Sequence, residues 1–469
     1  MIVLLFGVSL IGIAIDYCLQ YITTRFGPDS GPPAERLARI LPGITLGVIT
    51  TLIGYSTLML APFPGLRQLA VFSAVGLAAS FITIVLWLPM LDSTAPLRDS
   101  MRILNAANLL WAFWQDDRYR RWRFAFIAVL VLLGLAGLWR LKIDDDLRHQ
   151  QALSGELRSE ELDFRRVTGM IGGTEFLLVN GADTESVLQT DESLIQRLTA
   201  ARKDGALLDF QSIAQFIPSI KRQREDAMLV RDRLLRPFLD GYYRKLGLLD
   251  GMQPDAIVNR FIAPDAIGAA SPIAFLRNLL LESDSAGATQ VILLNGVIRP
   301  DVLRHIAETT PGVHFADPAG EVTRVLTQYR RRAMMLLVVS ALLMMPVLIW
   351  RYGLRGSLET LLPPAIAVVL APELAALAGV SFTFFGAIAL VLVLSIGFDY
   401  AVFCREAAPS RRAVTMLGVC LAMLATLLSF GLLGISRTYA VHAFGVTLLA
   451  GTILAFILAP LAIDRRKTS

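Results

Sequence analysis

Two stretches, Gly12-Ile13-Ala14-Ile15-Asp16-Tyr17-Cys18 and Ser395-Ile396-Gly397-Phe398-Asp399-Tyr400-Ala401, decide how this chain is read. Each sets an aspartate followed by a tyrosine inside a long apolar run. A carboxylate there costs on the order of 3 kcal/mol at the centre of a bilayer-spanning helix. Such a cost needs a reason, and two at matched places need a common one. The runs around them are long enough to cross a bilayer as helices, which takes about 20 residues. Seven more follow the same pattern, so candidate spans lie near residues 2–24, 41–60, 68–91, 124–140, 333–350, 361–382, 386–404, 413–434 and 439–463.

Composition agrees with a polytopic α-helical membrane protein. Of 469 residues, 55% are hydrophobic and 18% charged, against roughly 45–50% apolar and about 25% charged in soluble chains. A purely cytosolic globular protein is excluded. Solidly apolar runs also exclude a β-barrel, whose strands would alternate. The first run lacks a basic leader segment and carries Asp16, so it is not a signal peptide.

The net charge of +5 reports topology. Arginines cluster on every second connection: Arg25, Arg36 and Arg39; Arg98, Arg102, Arg118, Arg120, Arg121 and Arg123; Arg351 and Arg355; Arg405, Arg411 and Arg412; then Arg465, Arg466 and Lys467 at the end. These connections are cytoplasmic by the positive-inside rule, the C-terminus with them, and the 141–332 connection is exterior. Outside the juxtamembrane stretches no basic patch with interleaved aromatics exists, so no nucleic-acid partner is expected. Residue 1 then falls outside with nothing to direct it there, which leads us to expect a missing upstream portion.

The 141–332 segment is polar and mixed, with strand-like runs at Glu175–Val179 and Gln290–Asn295 and helix-like stretches near 184–203, 220–245 and 298–308. It reads as an α/β domain. Before the fourth span, an amphipathic stretch with Leu104, Leu109, Leu110, Trp111, Phe113, Trp114 and Trp122 suits a helix at the inner interface, as a tether or as a regulatory or partner-binding element.

The spans also repeat. The Asp-Tyr pairs are 383 positions apart, Thr51-Leu52-Ile53-Gly54-Tyr55 matches Thr426-Leu427-Leu428-Ser429-Phe430 at an offset of 375, and Gly76 matches Gly451 at the same offset. Spans one to three thus correspond to spans seven to nine in the same orientation, a parallel repeat that sets the two Asp-Tyr helices side by side. Matched intramembrane carboxylates, each beside a phenol able to hydrogen-bond, point to a proton or ion relay of Asp16, Tyr17, Asp399 and Tyr400. Thr50, Thr51, Tyr55, Thr426 and Ser429 on the following helices either face these pairs or pack as small polar residues.

Other chemistry is sparse. Cys18, Cys404 and Cys420 lie in apolar runs without ligand or disulfide spacing, Glu373 reads as an interfacial carboxylate, and His149, His305 and His314 are scattered. We find no phosphate-cradling Gly-Lys-Ser/Thr loop, zinc motif or Gly-x-Ser-x-Gly elbow, so neither a cofactor nor an enzyme activity is expected.

The two Asp-Tyr helices, residues 12–17 and 395–406, resemble those of the MMPL branch of the resistance-nodulation-division (RND) superfamily. Gly172-Gly173-Thr174-Glu175-Phe176-Leu177-Leu178-Val179 through Phe210-Gln211-Ser212-Ile213 is similar to the second periplasmic domain of lipid exporters in that branch. The resemblance implies an RND-like parallel repeat of helix bundles with one α/β porter-like exterior domain. It further implies a proton-motive-force-driven exporter of lipids or other hydrophobic, fatty-acyl or polyene-like molecules in the bacterial inner membrane. On this pattern residues 1–91 are a three-helix remnant of the first membrane repeat, 92–123 a cytoplasmic linker, 124–140 a membrane helix, 141–332 the periplasmic domain, 333–463 the five-helix remainder of the second repeat, and 464–469 the tail. Its partners would be membrane lipids, the hydrophobic substrate, and either further copies in a homo-oligomer or the missing N-terminal half. The alternatives are an inactive or partner-dependent transporter fragment and an RND-type protein-translocation accessory factor.

Overall fold

A backbone in hydrocarbon has no water to bond, so a spanning segment must satisfy its own amides as a helix. In the computed structural model, seven helices among the described residues are long and apolar enough to cross a membrane, which makes this a multi-pass helical membrane protein. The structure describes residues 15–26, 31–60, 64–92, 101–146, 148, 157, 159–160, 163–164, 174–246, 261–262, 278–283 and 287–463. Residues 2–14 of the first expected span, Arg98, His149, Gly172, Gly173 and the tail 464–469 lie outside them. Two units emerge, Met1–Ala152 with Val322–Ser469, and Leu153–Glu321, where hydropathy alone places the boundaries at 141 and 332.

The membrane unit comprises α1 (residues 15–23), α2 (Pro33–Leu58), α3 (Pro64–Leu91), α4 (Met101–Gln115), α5 (Arg120–Arg140), α10 (Pro318–Leu377), α11 (Phe384–Glu406), α12 (Arg412–Phe430) and α13 (Tyr439–Leu458). The fifth and sixth expected spans are the two arms of α10. Its 60 residues would run about 90 Å if straight, too long for one crossing. The break is Gly353, whose φ of +71° favours glycine. At its other end α10 starts well ahead of the apolar run, because Asp317 accepts from Gly320 N at 2.8 Å and Pro318 suits a first helical position.

α11 is the axis of this unit. Its side chains from Gly386 to Arg405 are all buried, the mark of a helix apolar all round and enclosed all round. Small residues let its neighbours approach closely: a Cβ built on Gly451 of α13 would meet Val393 at 2.3 Å, and one on Gly397 would meet Pro364 of α10 at 2.9 Å. α2 presents Ile44, Gly47, Val48, Thr51, Tyr55 and Leu58 as a buried stripe at helical spacing. The N-terminus of α11 is pinned by Asp145, which accepts from Phe384 N at 2.9 Å and from Arg330 Nε at 2.8 Å.

The α/β unit holds β1 (Phe176–Gly181), α6 (Thr184–Lys203), β2 (Asp209–Gln211), α7 (Ile220–Val230), α8 (Arg236–Leu246), β3 (Leu280–Ser283), β4 (Gly287–Asn295), α9 (Pro300–Glu308) and β5 (Val313–Ala316). The sheet order is β2-β4-β1-β5, all antiparallel, with β3 pairing the first half of β4. This interleaves two β-α-β units. The stretch expected to be one helix over 220–245 is two, joined by a π-turn at Arg231–Leu235. α6 begins at Asp183, whose side chain accepts from Ser186 N while Ser186 returns the bond; those bonds hold the Asp183 carboxyl below the usual carboxylate range.

Alternation along β1 and β4 turns Leu177, Val179, Ala288, Ile292 and Leu294 onto Leu194 and Leu198 of α6 and Leu303 and Ile306 of α9. Gln290 shares this buried face, and its Nε2 donates to Asp191 of α6, itself wholly buried. Asp191 Oδ2 also accepts from Ser212 Oγ and from Ala214 N at 3.0 Å. Asp191 therefore fastens helix, sheet and loop together. Burial pushes its carboxyl above the usual carboxylate range against the pull of these donors.

Replacing Asp191 by Ala strands two donors in the core, Ser212 Oγ and Gln290 Nε2, while Ala214 N keeps Ser212 Oγ at 3.2 Å, and lowers the stability of this unit by about 3 kcal/mol. Faster hydrogen exchange in α6 and β4 of the full-length protein is the readout. Since the folded form binds the proton more tightly than the unfolded one, the group's contribution is full at acid pH and falls as pH rises from 3.8 through the raised value. The Asp191→Asn variant loses that dependence.

Candidate functional site

An ionised carboxylate inside a fully buried helix needs donors from its neighbours. Asp399 of α11 and Asp16 of α1 are both fully buried, as are Tyr17 and Tyr400. Tyr17 reaches across from α1 and donates its hydroxyl to Asp399 Oδ2 at 3.0 Å. From α2, Thr51 Oγ1 donates to Asp399 in bifurcated fashion, at 3.3 Å to Oδ1 and 3.4 Å to Oδ2. Ser395, one turn before Asp399, donates to Thr51 Oγ1 at 3.1 Å and so turns the threonine proton toward the carboxylate. The Tyr17 ring meets Phe403 edge-on, with centroids 6.1 Å apart.

Room for this cluster comes from Gly47, one turn before Thr51. A Cβ there would stand 2.8 Å from Asp399 Oδ1 and 3.4 Å from the Tyr17 ring.

The other half of the constellation is arranged differently. Among the described residues, both oxygens of Asp16 are buried and accept no hydrogen bond, and the Tyr400 and Thr426 hydroxyls likewise make no bond within hydrogen-bonding geometry. Tyr400 lies beside Thr426 and within electrostatic reach of Asp16, and Asp16 is within reach of Asp399. The two carboxyls are thus neighbours in unequal surroundings.

The structure brings together Asp16, Tyr17, Thr51, Asp399, Tyr400 and Thr426, with Tyr55 in electrostatic reach of Asp399, while Thr50 and Ser429 make no bond to these groups. Thr50 turns back to its own helix, donating to Leu46 O at 3.0 Å and Gly47 O at 2.9 Å. Tyr55 is buried with its hydroxyl beside Ser73 of α3 and makes no bond to Asp399. Ser429 makes no hydrogen bond to any member of the cluster. A helical turn of 3.6 residues explains Thr50, since one residue's step from Thr51 rotates a side chain by about 100°; Tyr55 and Ser429, four and three residues on from Thr51 and Thr426, share those residues' faces and stand about one turn further along the axis. Ser395 and Gly47 belong to the site without standing out in the sequence; their only signal is a spacing of four residues before Asp399 and Thr51 respectively.

Glu373 of α10 is half-buried against α5, where a Cβ on Gly134 would meet its Oε2 at 2.9 Å. His442 Nδ1 bonds to the Gly434 carbonyl at 2.5 Å. Among the described residues no group of three or more His, Cys, Asp or Glu side chains is arranged to hold a metal ion. The chain matches no protein-family model and no curated protein sequence.

Space decides how the site tolerates change. Gly47→Ala displaces the Asp399 carboxylate from Thr51 and destabilises the protein by about 1–3 kcal/mol. Gly43→Ala on the same face is tolerated, because its Cβ meets Glu406 only at 3.6 Å. Thermal unfolding of the two variants in detergent checks the contrast.

Proposed function

We propose that this chain belongs to the MMPL branch of the RND superfamily and serves proton-motive-force-driven export of lipids or other hydrophobic molecules across the bacterial inner membrane, with its C-terminus cytoplasmic. The observation that carries the reading is the bond from Tyr17 to Asp399, joined by Thr51, at the buried centre of the helical unit. Structural packing does not require a carboxylate there. An apolar residue of similar size would fill the place without the cost of desolvation.

Chemically, the cluster holds two carboxyl groups in reach of each other and five hydroxyls, those of Tyr17, Thr51, Ser395, Tyr400 and Thr426. Donors surround the Asp399 carboxyl and none reaches that of Asp16, so a proton exchanged between them has two distinct resting places. Moving it changes what Tyr17 and Thr51 can donate to, and hence how α1, α2 and α11 hold one another. One charge crossing about 100 mV supplies roughly 2.3 kcal/mol, enough to bias two packings of a bundle. The α/β unit, with a sheet covered by helices, would be the porter-like domain that handles substrate.

The test reconstitutes the chain in liposomes with a fluorescent phosphatidylethanolamine and follows its transfer to the opposite leaflet under an imposed pH gradient. Gradient-driven transfer is expected, with Asp399→Asn and Asp16→Asn each abolishing it while the proteins stay folded, and Tyr17→Phe slowing it about tenfold. Transfer that ignores the gradient, or survives Asp399→Asn, removes the proposal.

A further inference from the structure

The stretch between α3 and α5 carries aromatic residues and arginines for which the carboxylate cluster has no use. α4 is firmly attached there. Trp114 Nε1 donates to Ile457 O at 2.7 Å, Arg412 stacks over the Trp111 ring with its guanidinium carbon 5.4 Å from the centroid, and Arg412 Nη1 donates to Gln115 Oε1 at 3.3 Å. Between α4, the start of α5 and residues 460–463 lies a cavity of about 520 Å³, within the size range of ligand sites.

Its lining changes character along α5. Arg120, Arg123, Phe124 and Ile127 all border the cavity, and their spacing of i, i+3, i+4 and i+7 puts them on one helical face. From the helix start inward that face passes from guanidinium to hydrocarbon, and Phe124 and Ile127 are 65% and 45% exposed. α5 is apolar enough to span a membrane, so the hydrocarbon end of the face meets acyl chains and the basic end meets headgroups.

The two arginines are used differently. Arg123 is committed to the protein: it donates to Trp114 O and, at 3.4 Å, to Asp116 O, and lies 3.8 Å from the Asp117 carboxylate. Arg120 makes no hydrogen bond, ion pair or ring contact among the described residues, and it borders the cavity. Of the charged residues that border the cavity, Arg120 and Arg123 outnumber Asp117, which lies beside Arg123. Basic pockets at the membrane surface attract anionic headgroups.

We propose that this cavity binds an anionic phospholipid. Arg120 is the phosphate ligand, Arg123 holds the α4–α5 corner that shapes the site, and an acyl chain follows Phe124 and Ile127. A soluble phosphate would use the basic end and leave the apolar end empty. A zwitterionic lipid would bring an ammonium group to a basic rim. The inference rests on the membrane-spanning character of α5 and not on export.

Native mass spectrometry of the full chain in detergent, titrated with phosphatidylglycerol, phosphatidylcholine or inorganic phosphate, tests it. Phosphatidylglycerol is expected to bind in preference to phosphatidylcholine, and millimolar inorganic phosphate not to displace it. Arg120→Gln lowers phosphatidylglycerol affinity about fivefold, the worth of one basic residue at a membrane surface, and Arg120→Lys retains most of it. Arg121→Gln, the same charge change about 100° round the helix and off the cavity wall, leaves affinity within about twofold of the parent. Equal losses for Arg120→Gln and Arg121→Gln, no discrimination between the two lipids, or displacement by inorganic phosphate would each overturn the proposal. No transport is read in this experiment, so lipid binding at the site is measured equally well on a chain that exports nothing.

Discussion

A carboxylate at the centre of a helix with no exposed face can be satisfied only by groups that other helices deliver to it. Asp399 is in that position on α11, and its donors come from α1 through Tyr17 and from α2 through Thr51. Each bond fixes both the rotation and the height of the helix that makes it. Gly47 then has to be free of a side chain, since the carboxylate occupies the space where its Cβ would be. Close approaches elsewhere, Gly451 to Val393 and Gly397 to Pro364, hold α13 and α10 against the same axis. In hydrocarbon there is no hydrophobic force to press helices together, so such small-residue contacts and polar bonds carry more of the specificity than they would in water.

The α/β unit answers the same problem with a sheet. Its core forms by burial of alternating apolar residues from β1 and β4 against α6 and α9. Within that core one polar group, Asp191, gathers Ser212, Ala214 and Gln290. Both units therefore contain a fully buried aspartate that ties separate elements together. Asp191 draws its donors from a backbone amide, a hydroxyl and a carboxamide, a mixed set that leaves it a fastening. Asp399 draws on hydroxyls, which can donate or accept as a proton moves. That difference in donor type, together with the second carboxyl of Asp16 nearby, is why the proposed relay is assigned to the helical unit.

The periphery has its own logic. α4 is bound to α12 and α13 through Trp114, Trp111 and Arg412, which makes the connection before α5 a built corner of the helical unit. A lipid held there would couple the packing of that corner to the charge of the surrounding membrane. The energies involved are of the order of 1 kcal/mol per basic residue, comparable with the roughly 2.3 kcal/mol per charge available from about 100 mV across the membrane.

What can be read from the chain alone is whatever depends on local pattern. Apolar run length marks the membrane helices, alternation marks β1 and β4, and the helix-like stretch near 184–203 matches α6. The recurrence of Asp-Tyr is enough to pair α1 with α11, and Tyr17 does bond to Asp399. Strands β2, β3 and β5 are not legible, because three or four residues are too few to establish an alternation. The two arms of α10 are legible as separate apolar runs, and only the break between them, the positive-φ Gly353, leaves no mark on hydropathy. Choosing Thr51 over Thr50 required the rotation of α2 about its axis, and telling Thr51 and Thr426 from Tyr55 and Ser429, a turn further along the same faces, required the height at which each helix packs. Rotation is settled by which faces pack, a property of neighbours far away in the chain. Sequence by itself thus determined which segments are helices and which buried charges need partners; the tertiary structure alone decided which hydroxyls those partners are, because one residue's step turns a side chain by about 100°.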